Sequence, residues 1–202
     1  ASMKLRFHAQ TSGAALQAQQ PHVNLMRVAY QAMAAVLGGC QSLHTNSMDE
    51  TLALPSEHAV TLALRTQQVL AFETGVANTV DPLGGSYFIE SLTDRMEEAA
   101  EEIFEHIDEL GGVMKAIETG YFRRVIADSA YRYQREVDRQ ERIIVGVNDF
   151  VDDQALPVDL LKIDLETERM QVARLKDRKG KRDQAKVSAT LAKIKQVAKT
   201  EE

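Results

Sequence analysis

In the first ninety residues, short runs of alternating apolar and polar residues lead into longer runs with apolar positions three or four apart. This is the pattern of β-strands followed by α-helices. The first pair is predicted as a strand over Lys4 to Gln10 and a helix over Val23 to Leu37, closed by Gly38-Gly39, where a left-handed cap fits. The second is a strand over Gln41 to Asn46 and a helix that starts at Ser56, after Pro55. That helix runs through Leu62, Leu64, Val69 and Phe72 and stops near Gly75. Asp81-Pro82-Leu83-Gly84-Gly85 reads as a turn, and Ser86 to Glu90 as a third, shorter strand.

From Thr93 the period becomes helical, with Met96, Ala100, Ile103, Ile107 and Leu110 drawing one apolar stripe. Asp94, Glu97 and Glu98 fall in the first turn, where carboxylates favour the helix dipole, and Gly111-Gly112 closes the helix. A further helix is predicted over Phe122 to about Arg139, and Ile143 to Val147 as a strand-like or extended run ending at Asn148. Two helices follow, about Asp164 to Lys176 and Asp183 to Ala198, separated by Gly180, the second carrying Val187, Leu191, Ile194 and Val197 on one side.

Three strand-helix units do not close a parallel barrel, which takes eight strands and about 250 residues. An open parallel sheet needs both faces covered. A strand almost at residue 1 therefore leads us to expect that the chain begins inside a larger α/β domain.

At 44% hydrophobic and 27% charged residues, the 202-residue chain has the balance of a globular protein, which excludes disordered and collagen-like classes. No run approaches the roughly 20 apolar residues of a membrane span, and residues 1–10 lack a secretory leader pattern, so a cytoplasmic or organellar-matrix protein with no membrane partner is expected. Cys40, the single cysteine, reads as a core filler. The net charge of −6 is uneven: residues 162–202 hold twelve Lys or Arg against seven Asp or Glu. Asp177 and Asp183 break the basic stretch from Arg174 to Lys186 and no aromatic residue interleaves, so a solvated helix face is expected rather than a nucleic-acid site.

Alternation assigns Leu5, Phe7 and Ala9 to one face of the first strand, toward the helices, and Arg6, His8 and Gln10 to the other. In the second strand Leu43 and Thr45 alternate with Ser42, His44 and Asn46. Two strands thus offer matching polar positions, which burial would penalise unless they meet a polar ligand or water. The loop beyond the second strand carries Asp49-Glu50, where Glu50 suits a hydroxylated ligand or, equally, a helix-capping or solvated role. After the first strand, Thr11-Ser12-Gly13 is a turn whose glycine allows close backbone approach. HExxH, CxxC and Walker motifs are absent. The five histidines lack zinc-site spacing, no Ser-His-Asp set emerges, and Gly84-Gly85 has no dinucleotide-loop context. The residues alone lead to a ligand-binding barrel mouth.

Four stretches carry a resemblance: Leu5-Arg6-Phe7-His8-Ala9-Gln10-Thr11-Ser12-Gly13, Ala34 through Gln41-Ser42-Leu43-His44-Thr45-Asn46 to Glu50, Val80-Asp81-Pro82-Leu83-Gly84-Gly85-Ser86-Tyr87, and Ile144-Val145-Gly146-Val147-Asn148. Over about residues 4 to 180 the chain resembles the later part of the catalytic barrel of the methylmalonyl-CoA mutase family, the adenosylcobalamin-dependent acyl-CoA mutases.

The resemblance implies the C-terminal part of a (β/α)8 TIM barrel with a helix-rich extension. Residues 1–92 would be the last barrel units, 93–150 helices packing on the barrel, and 151–202 a helical linker or tail toward a cobalamin-binding domain or subunit. It implies adenosylcobalamin as cofactor, contacted by Gly13, Glu50, Ala53, Asn46 and Gln10, with Asn46 and Glu50 at the adenosyl ribose. His8, Gln41 and His44 would line the substrate cavity around an acyl-CoA. The family reaction homolyses the cobalt–carbon bond, lets the adenosyl radical take a substrate hydrogen and rearranges the acyl skeleton. No catalytic or metal-ligating residue is carried over, since the family's acid, its substrate-reading residues and its cobalt-ligand motif have no counterpart in this sequence. The implied partners are the N-terminal barrel half and the cobalamin-binding module, in an oligomer, without which the chain is expected to be inactive. Two departures stand out: Ala14-Ala15, where many members have a bulkier residue followed by Ser, and Cys40, which replaces a common Thr. The other reading left open is an assembly module derived from such a barrel, binding partners through the helices after Thr93 and the basic tail.

Overall fold

A computed structural model describes residues 5–152 and 157–199, so Lys4, at the start of the first predicted strand, lies outside the described residues. The chain divides into two compact units, residues 1–160 and 161–202. The whole is mixed α/β, mostly helical with a small parallel sheet.

In the first unit the predicted strand-helix-strand order is present. Strand β1 (His8–Gln10) leads through helix α1 (Val23–Leu37) to strand β2 (Ser42–His44), and the strands pair in parallel, His8 opposite Ser42, Ala9 opposite Leu43 and Gln10 opposite His44. A parallel pair needs such a crossover helix. Both strands are shorter than predicted: each has a ladder partner on one side only among the described residues, and beyond the paired residues single backbone bonds, Gln41 N–H to the Phe7 carbonyl and Thr11 N–H to the His44 carbonyl, end the ladder.

Helix α1 has its predicted bounds, and Gly39 takes the left-handed conformation (φ 78°) that ends it. Helix α2 (Glu57–Phe72) is N-capped by Ser56, whose hydroxyl accepts from the Ala59 N–H at 3.2 Å, and stops before Gly75, at φ 73°. The two helices pack on each other through Val28 and Ala32 of α1 and Ala59, Ala63 and Leu70 of α2, all buried. Positions four and seven apart place these residues on one face of each helix. Leu43 of β2 points toward this layer, sharing a small apolar cavity of about 200 Å³ with Val36, Leu70 and Val76. The Thr45 hydroxyl donates to the Ala63 carbonyl at 2.8 Å, and Gln67 Nε2 donates to the Leu43 carbonyl at 3.1 Å, fixing the end of β2 on α2. Leu5 and Phe7, expected against the helices, are instead largely exposed.

Ser86 to Glu90 is not a third strand. Helix α3 (Tyr87–Glu109) begins there, with Ser86 at its N-cap position and the Glu90 carboxylate reaching back to accept from the Gly85 N–H at 2.9 Å. The apolar stripe explains why: Ile89 lies two turns before Met96, so the helical period starts before Thr93. Gly111 and Gly112, both at positive φ (96° and 90°), turn the chain into a helix missed by the sequence reading, α4 (Val113–Glu118). Helix α5 (Tyr121–Asp138) follows; Ile107 and Ala116 are buried where α3, α4 and the start of α5 meet, while Val137, at the far end of α5, is buried beside Ala14, Ala15 and Ile144.

Ile143 to Val147 is not a strand either. It folds as a turn around Asn148, whose side chain accepts from the Ile144 N–H (2.7 Å) and donates to the Val137 and Arg142 carbonyls (2.9 and 2.8 Å). Within it Gly146 is buried at φ 79°, and a Cβ there would lie 2.7 Å from Gln20 Cδ. Gly146→Ala is therefore expected to cost about 1–3 kcal/mol, from left-handed strain plus displacement of Gln20. A fall in thermal midpoint checks this, and Gln20→Ala should recover part of it by removing the clash.

The second unit holds helices α6 (Leu165–Gly180) and α7 (Gln184–Val197), neither with a buried residue. Gly180 does not separate them but is the last residue of α6; the break is Lys181 to Asp183. Asp164 and Asp183 cap the two N-termini by accepting from Thr167 N–H (2.7 Å) and Lys186 N–H (3.1 Å). The bonds from Thr167 hold the Asp164 carboxyl below its ordinary value.

No described helix is long and apolar enough to cross a membrane.

Candidate functional site

The pairing register puts four polar side chains in a two-by-two array. His8 lies beside Ser42 and Gln10 beside His44, all four exposed, while Ala9 and Leu43 on the opposite face are half-buried. His8 Nδ1 and Ser42 Oγ share a hydrogen bond. Alternation along a strand makes this array, since a one-residue slip would turn every one of these groups to the helix side.

Beyond the array the two strand-following loops are stitched together. The Thr11 N–H donates to the His44 carbonyl (3.0 Å), extending the ladder by one bond. Asn46 is 1% exposed; its backbone N–H donates to Thr11 Oγ1 (2.9 Å), its Nδ2 to the Thr11 carbonyl (2.9 Å), and its Oδ1 accepts from Gln10 Nε2 (2.9 Å). A buried amide satisfied at both ends is rigid, because breaking any one bond leaves a polar group unpaired.

Gly13 comes against this amide. A Cβ placed on it would meet Asn46 Nδ2 at 3.2 Å and Glu50 Oε1 at 3.6 Å. The glycine therefore keeps open a cradle with Asn46 below and Glu50 at its side. Glu50 is exposed and its carboxylate makes no hydrogen bond or ion pair with the described residues.

The neighbouring acid behaves differently. Asp49 is fully buried, accepting from the Ser47 hydroxyl (2.6 Å) and the Ser56 N–H (2.9 Å), while its carbonyl accepts from the N–H groups of Leu52 and Ala53. The Asp49-Glu50 pair thus splits into one acid that shapes the loop and one offered outward.

The predicted site residues do not all converge. Gln10, Gly13, Asn46 and Glu50 form one connected set, and His8 and His44 share the sheet face with Gln10. Gln41 stands at the opposite end of β2, its side chain accepting from Phe7 N–H (2.8 Å) and donating to the Gly39 carbonyl (2.9 Å), so both ends of its amide are used within the chain. Ala53 is half-buried in the loop held by Asp49. Ala14 and Ala15 line an open groove of about 520 Å³ with Tyr133, Val137 and Ile144. Cys40 is half-buried and free.

Two polar residues of α1 escaped the sequence reading. Asn24 is fully buried and hydrogen-bonded to Gln17, Met48 and Arg27, and Arg27 reaches the Val145 carbonyl at 2.6 Å. Burial pulls the Arg27 guanidinium below its ordinary value by desolvation. The available signal was an asparagine in line with Val28 and Ala32 on the apolar face of α1. Among the described residues no group of three His, Cys, Asp or Glu side chains gathers to hold a metal ion.

The sequence profile of the methylmalonyl-CoA mutase family matches residues 1–202. The chain belongs to this family. Among its relatives it is 46% identical over 200 residues to a methylmalonyl-CoA mutase of Rhizobium meliloti, a match covering 98% of this chain and 28% of that protein. It is 45% identical over 201 residues to the 2-hydroxyisobutanoyl-CoA mutase large subunit of Aquincola tertiaricarbonis, covering 99% of this chain and 36% of that subunit. To the methylmalonyl-CoA mutase of Escherichia coli it is 43% identical over 202 residues, covering 100% of this chain and 28% of that protein. The chain therefore spans between about a quarter and somewhat over a third of the length of these mutases. Residues 8–13, 41–46 and 50, which build the array and the cradle, lie within the stretch that matches the family.

Proposed function

We propose that this chain is the cofactor-facing part of a (β/α)8 barrel in an adenosylcobalamin-dependent mutase that rearranges the carbon skeleton of an acyl-CoA, methylmalonyl-CoA to succinyl-CoA or a close relative. In this reading residues 1–92 are the last units of the barrel, 93–150 pack on it, and 151–202 lead toward a cobalamin-binding domain or subunit. The assembled enzyme is this chain together with the remaining barrel strands and that module, in an oligomer of the cytoplasm or mitochondrial matrix. The free edges of β1 and β2 are where further strands would pair.

The observation that carries the reading is the glycine cradle beside an exposed polar sheet face. Gly13 leaves room for a ligand to approach the backbone, and Glu50 offers a free carboxylate to ribose hydroxyls, with Asn46 holding the floor. Gln10 links the cradle to the array, and His8 and His44 present imidazoles to the acyl-CoA, with Gln41 farther along the cavity wall. Ala53 would contact the cofactor from the Asp49 loop. Adenosylcobalamin, when bound, supplies the radical chemistry, and the cobalt ligand comes from the partner module. The residues of this chain orient the cofactor and substrate and exclude water, a contribution that works through positioning.

The assembled enzyme, given adenosylcobalamin and methylmalonyl-CoA or 2-hydroxyisobutyryl-CoA, is expected to convert one of them to its rearranged isomer, followed by chromatography of the CoA esters. An assembly that forms with its partners yet binds no adenosylcobalamin would contradict the reading and favour a non-catalytic assembly module.

A further inference from the structure

We infer that Asn24 is a positioning residue for the cofactor side of the site, one buried carboxamide fixing the loop after β1 and the loop after β2 at the same time. The inference rests on the function proposed above. Asn24 is the second residue of α1 and is 0% exposed. Its Oδ1 accepts from the Gln17 N–H (3.0 Å) and from Arg27 Nη1 (2.8 Å). Its Nδ2 donates to the Gln17 carbonyl (2.8 Å) and the Met48 carbonyl (2.9 Å). A primary amide has two donor hydrogens and two acceptor lone pairs, so all its capacity is spent.

The partners give these bonds their meaning. Gln17 follows the short 3-10 turn Gly13–Ala15, and Met48 lies between Asn46 and Glu50. One side chain thus holds Gly13, on the first loop, at a set place relative to Asn46 and Glu50, on the second. Arg27 carries the tie outward, donating through Nη2 to the Val145 carbonyl (2.6 Å). The other described bonds that join these loops, Thr11 to His44 and Asn46, and Gln10 to Asn46, act at the strand ends. Asn24 acts at their far side, so without it Gln17 and Met48 lose their common anchor, while Ser12 stays tied to the Gln31 side chain of α1, and the spacing of the two loops beyond Thr11 is loosened.

Aspartate at this position keeps the shape and the acceptor but turns an acceptor toward the Gln17 and Met48 carbonyls. In the assembled enzyme Asn24→Asp is expected to raise the dissociation constant for adenosylcobalamin, read by absorbance titration, about tenfold or more, equivalent to one or more lost hydrogen bonds. The KM for acyl-CoA should move less than about twofold, because the sheet array does not depend on these bonds. Without cofactor, amide exchange should quicken together in residues 11–17 and 46–53 and stay unchanged in 8–10 and 42–44.

Leu70→Ala, a cavity in the α1/α2 core, serves as the control for general destabilisation. An equal loss of cofactor affinity from Leu70→Ala, or none from Asn24→Asp, would overturn the inference. If Asn24→Asp fails to assemble, Arg27→Met removes only one of the four bonds and should weaken cofactor binding about threefold; no change would equally overturn it. Wild-type enzyme that binds no adenosylcobalamin would instead show that the proposed function itself is wrong.

Discussion

Replacing Gly13 with leucine is expected to raise the dissociation constant of the assembled enzyme for adenosylcobalamin by about 30-fold or more while leaving its thermal midpoint within a few degrees. The first methylene already meets Asn46 Nδ2 at 3.2 Å, and the rest of the side chain must extend over Glu50 into the space the cradle keeps open. Overpacking of this kind costs about 1–3 kcal/mol, and about 2 kcal/mol corresponds to the stated loss. The cost falls on binding rather than folding because Gly13 is not held at positive φ, so a side chain is conformationally allowed there and the cradle opens to solvent. Gly13→Ala provides the graded case, with Asn46 giving way by a few tenths of an ångström and a loss of a few-fold. Absorbance titration measures the binding and scanning fluorimetry the stability. A leucine variant with unchanged affinity would remove the cradle from the cofactor site.

The second large effect falls on stability. Asp49→Ala is expected to destabilise the protein by about 3 kcal/mol, since a fully buried carboxylate accepts from both the Ser47 hydroxyl and the Ser56 N–H and bonds to a charged group contribute about 1.5–3 kcal/mol each. Truncation leaves both donors unpaired, that of Ser47 buried and that of Ser56 half-buried. Asp49→Asn should fall between wild type and alanine, because its amide oxygen still accepts from the Ser56 N–H and its NH2 donates to the Ser47 hydroxyl oxygen, both without the charge of the carboxylate. Chemical denaturation reads both, and an alanine variant as stable as wild type would show that these hydrogen bonds do not hold the loop. Glu50→Gln, one residue on, should leave stability unchanged because its carboxylate makes no bond to lose.

The sequence made the β1–α1–β2 unit legible because each signal there is local and agrees with its neighbours: alternation in both strands, a glycine pair after α1 and a serine before α2. Its strands were read too long because ladder length depends on what pairs across the open edges, which no local pattern records. Ser86 to Glu90 misled for a related reason: five residues fit a strand or the first turns of a helix, and only continuity with the Met96 stripe decides between them. Ile143 to Val147 has the apolar content of a strand, yet the Asn148 side chain takes the Ile144 N–H and the Ile144 carbonyl takes the Val147 and Asn148 N–H groups, which folds it into a turn. Gly180 is the last residue of α6 and the break falls at 181–183, because a lone glycine in a helical pattern does not by itself end the helix before it.

The site was legible to a comparable depth. Polar alternation placed His8, Gln10, Ser42 and His44 on one face, and the resemblance drew attention to Gly13, Asn46 and Glu50. What alternation could not supply is the contact between Gly13 and the Asn46 amide, which depends on how two loops fold over one another. Asn24 and Arg27 escaped because a polar residue in an apolar helical stripe shows only that it is satisfied, not by whom. Asp49 and Glu50 looked equivalent in sequence, and only burial separates the acid that builds the loop from the one that faces outward.

The central claim is that the loops after β1 and β2 receive adenosylcobalamin. Amide exchange of the assembled enzyme, compared with and without the cofactor, tests it most directly. Slowing concentrated in residues 11–15 and 46–53, with α3 and α5 unaffected, is the predicted result. Cofactor-dependent slowing confined to other parts of the assembly, with both loops unchanged, would contradict it.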